Sequence, residues 1–217
     1  MLRTSLGARY DGASFTGQLA LFRLDVSHER IQDPVTREVL PTGKSVRQGI
    51  NFDGQLRVGS RITIRADGTV NDAHVKGDPG KGLTPLVIPD LDVTVNGKPI
   101  RPSYHIEPLE PGDPVPNVAG WLGRVGMDAT LTSRLTARGQ LRLSGPYTPI
   151  GEPGIETQSY AVVDLGTSIE LPGFGAVADL ELQNVFDAKY PEIRASGFIN
   201  PGAPRTLRAA LRFTDDQ

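Results

Sequence analysis

The sequence predicts an all-β chain, an antiparallel up-and-down segment of a transmembrane β-barrel with about nine strands. Three observations lead there. Apolar and polar residues alternate with period two along much of the chain, which puts one kind on each face of a strand. The connections between those stretches alternate strictly between short and long. The composition, with 25 Gly and 18 Pro, disfavours long helices and supplies turns.

The strands follow in order. Leu2 to Tyr10 is the first, and roughly Gln18 to Ser27 the second, where Leu19 and Leu21 share a parity with Arg23, Asp25 and Ser27. The third is clearer, because Ile50, Phe52, Leu56 and Val58 oppose Asn51, Asp53, Gln55 and Arg57. Arg61 to Asp72 and Ala119 to Leu131 follow. Leu135, Ala137, Leu141 and Leu143 then oppose Thr136, Arg138, Gln140 and Arg142. Ala161, Val163, Leu165, Ile169 and Leu171 oppose Asp164, Ser168 and Glu170; Ala178, Leu180 and Leu182 oppose Asp179, Glu181 and Gln183. In the last strand Leu207, Ala209, Leu211 and Phe213 oppose Thr206, Arg208 and Arg212.

Tight turns are expected at Asp11-Gly12-Ala13-Ser14, Gly59-Ser60, Thr132-Ser133-Arg134 and Pro172-Gly173-Phe174-Gly175. Long polar links are expected at about 28–45, 74–117, 145–159 and 187–204. Short links thus gather at one end of the sheet and long ones at the other. The 74–117 link is rich in proline, and its Asp92 to Ile100 stretch fits a small hairpin turning at Asn96-Gly97.

A transmembrane barrel requires strands of about 9–11 residues, a charge-free outer face, and short turns opposite long loops. A basic residue on that outer face costs roughly 2–4 kcal/mol at the bilayer midplane. The apolar parity of the clear strands carries no charge, whereas the other parity carries Arg57, Arg138, Arg142, Arg208, Arg212, Asp53, Asp164, Asp179 and Glu181. Either a wet lumen or bulk solvent accepts such a face. Aromatic placement favours the barrel: Tyr10 and Phe213 fall at one end of the outer rows, and Trp121, Tyr147 and Phe186 at the other, as a pair of interfacial girdles. The alternative is a soluble extracellular β-sandwich acting as a binding or adhesion module, with the apolar rows sealed against a second sheet.

Composition removes other classes. With 23 basic against 25 acidic residues and no basic block, nucleic acid is not an expected partner. The absence of Cys excludes disulfides and thiolate chemistry and leaves the redox compartment open. No apolar run approaches the roughly 20 residues of a membrane helix, and Met1 to Arg9 lacks the apolar core of a secretory signal, so no export address is expected in the chain as written.

Two C-terminal motifs carry a resemblance. Leu182-Gln183-Asn184-Val185-Phe186-Asp187-Ala188-Lys189-Tyr190 resembles the penultimate-strand signature of the TonB-dependent receptors of Gram-negative outer membranes. Pro201-Gly202-Ala203-Pro204-Arg205-Thr206 resembles the lead-in to their last strand, and Arg212-Phe213 their terminal aromatic, which makes Phe213 the implied signal to the barrel-assembly machinery. Gly43 to Ile50 and Val115-Pro116-Asn117-Val118 are similar to weaker markers. The resemblance implies a 22-stranded barrel filled by an N-terminal plug that bears the TonB box.

Signal peptide, TonB box and plug find no match here, and an odd strand count places Met1 at the extracellular rim and Gln217 in the periplasm. The expectation is a segment cut mid-barrel: residues 1–213 as partial barrel, 214–217 as a tail. Implied partners are outer-membrane lipid, the barrel-assembly machinery and a scarce solute such as an iron-siderophore, with the TonB complex reached only through the missing plug. Alone, the segment is expected not to transport.

No cofactor, metal or catalytic residue is expected. Gly173-Phe174-Gly175-Ala176-Val177-Ala178 matches a loose dinucleotide fingerprint, yet that motif needs a helix after it, and a period-two stretch follows instead. His28 stands in one long link and His74 and His105 at far-apart positions of another, without metal-ligand spacing. A barrel-based enzyme would need a nucleophile and base on one rim, and none is found. Ligand contact is expected from the long loops, where Arg101, Tyr104, His105, Arg194 and Phe198 are available; no binding residue is assigned.

Overall fold

A computed structural model of the chain describes residues 1–32, 39–77, 93–95, 98–100, 109–150, 152, 154–195 and 198–213. Alternating sequence broken by turn residues yields β1 (Leu2–Asp11), β2 (Phe15–Gln32), β3 (Val39–Val58), β4 (Ile62–Val75), β5 (Val93–Val95), β6 (Lys98–Ile100), β7 (Trp121–Thr130), β8 (Leu135–Ser144), β9 (Tyr160–Leu171), β10 (Ala176–Gln183), β11 (Pro191–Ala195), β12 (Phe198–Pro201) and β13 (Thr206–Phe213). A single 3-10 turn, Pro172–Phe174, joins β9 to β10.

Nine of these strands form one sheet in the order β1-β2-β3-β4-β7-β8-β9-β10-β13, each antiparallel to its neighbours. Because side chains alternate strictly, the register stacks like with like across the whole sheet. One outer row runs Phe15, Leu56, Ile64, Met127, Gly139, Leu165, Leu182, Leu207. The row beside it on the opposite face runs Arg57, Thr63, Asp128, Arg138, Gly166, Glu181, Arg208.

The apolar rows are not covered. Leu180 is 47% exposed, Leu207 66% and Phe213 73%, and no second sheet packs against them among the described residues. The sandwich alternative is therefore overturned, since it needs those side chains sealed between two sheets. The core sits instead at the long-link end, where Val46, Val75, Val115, Ile150, Val162 and Ala195 are buried under the links that fold over the sheet.

Four expectations change in detail. The 28–45 link is mostly strand: β2 and β3 continue as a paired ribbon to Gln32 and Val39, past irregularities at Ser27, Glu29 and Arg30. β4 likewise runs on to Val75. The apolar rows end before the strands do, and backbone pairing needs no such pattern, so the ribbon over about 28–45 reads from sequence as a link. This also resolves the mixed parity of β2, because Leu19 and Leu21 occupy the apolar stretch and Arg23 with Asp25 lie beyond it, linked to each other, to Gln48 and through Gln48 to Asp72. Third, the 187–204 link contains the β11–β12 hairpin, whose strands are too short to show a period. Fourth, Tyr147 is not a girdle residue; it faces the protein, as described below.

The expected hairpin in the proline-rich link is present as β5 paired with β6, and its Asn96-Gly97 turn lies outside the described residues.

Candidate functional site

The inner face of the sheet is a ladder of opposed charges. Arg124 pairs with Asp67 at 3.2 Å, Arg142 with Asp164 at 3.2 Å and Arg212 with Asp179 at 2.6 Å, while Asp128 lies between Arg65 and Arg138. Ser168 donates to Asp179, and Thr69 to Asn51. Arg65, Asp67, Arg124, Asp128, Arg138, Asp164, Asp179 and Arg212, from β4, β7, β8, β9, β10 and β13, line a concavity of about 740 Å³. Exposed ion pairs of this kind contribute little to stability, about 0–1 kcal/mol each. Their consequence is chemical: a wall of fixed charge, five arginines against four aspartates, opposite rows of aliphatic side chains.

At the long-link end the C-terminal motif residues converge on one corner. Asn184 is 1% exposed, and its side chain works three times: Nδ2 donates to the Ala188 and Ala203 carbonyls at 3.0 and 2.9 Å, and Oδ1 accepts from the Ala188 N–H at 2.8 Å. Its own N–H donates to Asp164 Oδ1, which ties the corner to the charged wall. Asp187 accepts from Lys189 Nζ and from the Arg205 N–H. Those two hydrogen bonds hold its carboxyl below the ordinary carboxylate range.

Asn184 and Asp187 adopt φ of 48° and 52°, the left-handed region that Asn and Asp tolerate better than most. Tyr190 stacks on Tyr160 with ring centroids 4.6 Å apart, and its carbonyl accepts from the Gly202 N–H. A Cβ at Gly202 would stand 2.1 Å from the Tyr190 ring, so only glycine fits there. Thr206 Oγ1 donates to the Pro204 carbonyl at the start of β13. Asn184, Asp187, Tyr190, Gly202, Pro204, Arg205 and Thr206 therefore meet in space and pin the two ends of one long link. Pro201 closes β12 beside them. Phe186 and Phe213 do not join the corner; both project outward, 74% and 73% exposed, at opposite ends of the sheet.

A second cluster joins the 145–159 link to β11. Arg194 forms an ion pair with Glu152 at 2.6 Å, and its N–H donates to the Tyr147 hydroxyl at 3.2 Å. The Glu152 hydrogen bond raises the Arg194 guanidinium further, and burial raises the Tyr147 hydroxyl. Ile150 bridges to Ala195, and Asn117 accepts from the Ile150 N–H while its own N–H donates to Thr148. Arg194 thus packs loop on loop, whereas Phe198 remains half exposed on the hairpin. Arg101, Tyr104 and His105 lie outside the described residues.

Arg138, Arg142, Arg212, Asp164 and Asp179 of the ladder stood out in the sequence, whereas Arg65, Asp67, Arg124 and Asp128 did not, nor did any pairing, because register is set by partners distant in the chain. The Glu152–Arg194–Tyr147 cluster left no sequence signal, and no group of His, Cys, Asp or Glu suited to a metal occurs among the described residues.

Comparison with curated protein sequences returns no match. Solved structures do match. The siderophore receptor PiuA from Acinetobacter baumannii superposes with a TM-score of 0.73 at 18% identity, over 97% of this chain and 28% of that one. The ferric yersiniabactin uptake receptor FyuA from Yersinia pestis gives 0.64 at 18% identity, over 97% and 27%. The ferric-catecholate import receptor Fiu from E. coli K12, in its closed form, gives 0.67 at 15% identity, over 96% and 27%. This chain therefore spans less than a third of the length of each. The family model for the TonB dependent receptor-like β-barrel matches residues 4–185, and with a single antiparallel sheet, oily outside and charged inside, the chain belongs to the TonB-dependent receptor β-barrel family.

Proposed function

We propose that this chain is the C-terminal wall of an outer-membrane receptor that takes up an iron-siderophore or a similar scarce solute with energy transmitted by TonB. The observation that carries the reading is the opposition of faces: ion pairs line one side of the sheet while the other exposes aliphatic rows. A water-filled or plug-filled lumen needs the first and lipid needs the second. In this reading residues 1–213 are partial barrel and 214–217 a tail, and the short turns face the periplasm. Phe213 is the signal to the barrel-assembly machinery, and the pinned corner positions the extracellular links over the lumen. The family consists of transport receptors, and no enzyme activity is proposed.

By itself the segment does not transport, because the outer edges of β1 and β13 pair with no strand among the described residues. Each unpaired backbone group facing lipid costs several kcal/mol. Expressed without detergent, the segment aggregates; a stable, monomeric, detergent-free product would contradict the reading.

The uptake experiment uses the full-length protein that carries these residues. A strain lacking it is grown under iron limitation on a panel of ferric siderophores, with and without functional TonB. TonB-dependent rescue by one member of the panel supports the proposal, and equal growth with and without the protein on every iron source and other limiting solute tried overturns it.

A further inference from the structure

The outer face is not uniformly ridged. Between β1 and β4, near the short-turn end, it holds an apolar groove of about 500 Å³. Its floor is the Phe15 ring, lying over the cross-strand pair Gly17 and Gly54, and Ala66 beyond it. Its walls are Leu56 and Ile64 on one side and Leu19 and Phe52 on the other. Tyr10 closes one end, stacked on Phe15 with centroids 6.0 Å apart.

Glycine makes this shape. A Cβ at Gly17 would come within 2.7 Å of the Phe15 ring, and one at Gly68 within 2.5 Å of the Phe52 ring. Both rings therefore lie low against bare backbone instead of standing out from the sheet. The groove is continuous with the charge-free rows that this family turns toward lipid, and it opens beside aromatic residues at headgroup level. Arg61 and Arg134 stand in the short turns at the same end of the sheet, where they complement phosphate.

Resting on the outer-membrane reading above, we propose that this groove is a binding site for an acyl chain of a periplasmic-leaflet phospholipid. An acyl chain matches its apolar lining, and the anionic headgroup then lies level with the basic turns.

The test places the full-length protein in vesicles of phosphatidylethanolamine and phosphatidylglycerol doped with a phospholipid bearing a photoreactive diazirine in its acyl chain. Labelled peptides are then mapped by mass spectrometry. The proposal expects labelling at Tyr10, Phe15 and Leu56 several-fold above that at Leu207 and Leu211, which are lipid-facing without a groove. It also expects Gly54→Leu, whose Cβ meets only ordinary contacts, to abolish the excess while Leu207 and Leu211 label as before. Equal labelling of all rows, an excess that survives Gly54→Leu, or protein–protein cross-links at Tyr10 in place of lipid adducts overturns the groove alone. Absence of labelling at Leu207 and Leu211 as well overturns the membrane reading and the groove with it.

Discussion

Asn184 shows how one side chain can hold a long connection. Buried, it satisfies two carbonyls and one N–H from segments that flank the β11–β12 hairpin, so Asn184→Leu leaves those three backbone groups without partners. Each costs about 1–3 kcal/mol when orphaned away from water. The expected outcome is a loss of several kcal/mol, read as a lowered midpoint in urea unfolding from vesicles, with Asn184→Asp losing less. Gly202→Ala tests the neighbouring contact: the Tyr190 ring must move, and protease cleavage between residues 184 and 205 is expected to accelerate. Asp187 gives a pH dependence. Its carboxyl is held down in the fold, so the ionised form is the stabilised one; that contribution is present at neutral pH and is lost as pH falls through the folded value. Asp187→Asn should therefore flatten the acid limb of the stability profile and leave neutral-pH stability lower.

On the level of strands, face rather than residue type sets the penalty. Leu180→Arg introduces a charge on the outer rows and is expected to cost roughly 2–4 kcal/mol, whereas Gln140→Arg on the inner face is expected to be close to neutral. Comparative unfolding of the two variants checks this, and equal penalties would count against opposed environments. How far the sequence disclosed these elements follows the same logic. Period two was plainest where one parity is apolar throughout, so β8, β9, β10 and β13 stood out from Leu135, Leu165, Leu180 and Leu211. It was mixed from Arg23 to Ser27, which still read as strand, and gave no signal over about 28–45, where backbone pairing and the Glu29 bonds to Ser45 and Arg47 hold the ribbon. It failed again for β11 and β12, too short to show a period, where Glu152 and Tyr147 from a distant link hold β11, and β12 pairs with β11. The corner residues were legible as a motif, while their physical role needed the fold: Asn184 bonds the Ala203 carbonyl and Gly202 the Tyr190 carbonyl across a long link.

For the molecule as a whole, the account rests on a single sheet with two solvents. A nine-stranded sheet with uncovered leucines is not stable in water alone, because contiguous apolar surface of this extent drives association. The charged ladder and the oily rows make sense together only when lipid lies on one side. The chain contains no cysteine, so single cysteines can be introduced at Leu165 and Leu180 on the outer rows and at Gln140 and Glu181 on the inner face, and each tagged with a nitroxide in lipid vesicles. The account predicts that oxygen, which concentrates in hydrocarbon, relaxes the labels at 165 and 180, and that a water-soluble nickel chelate relaxes those at 140 and 181. Equal behaviour of the two pairs, or the reverse assignment, would contradict it.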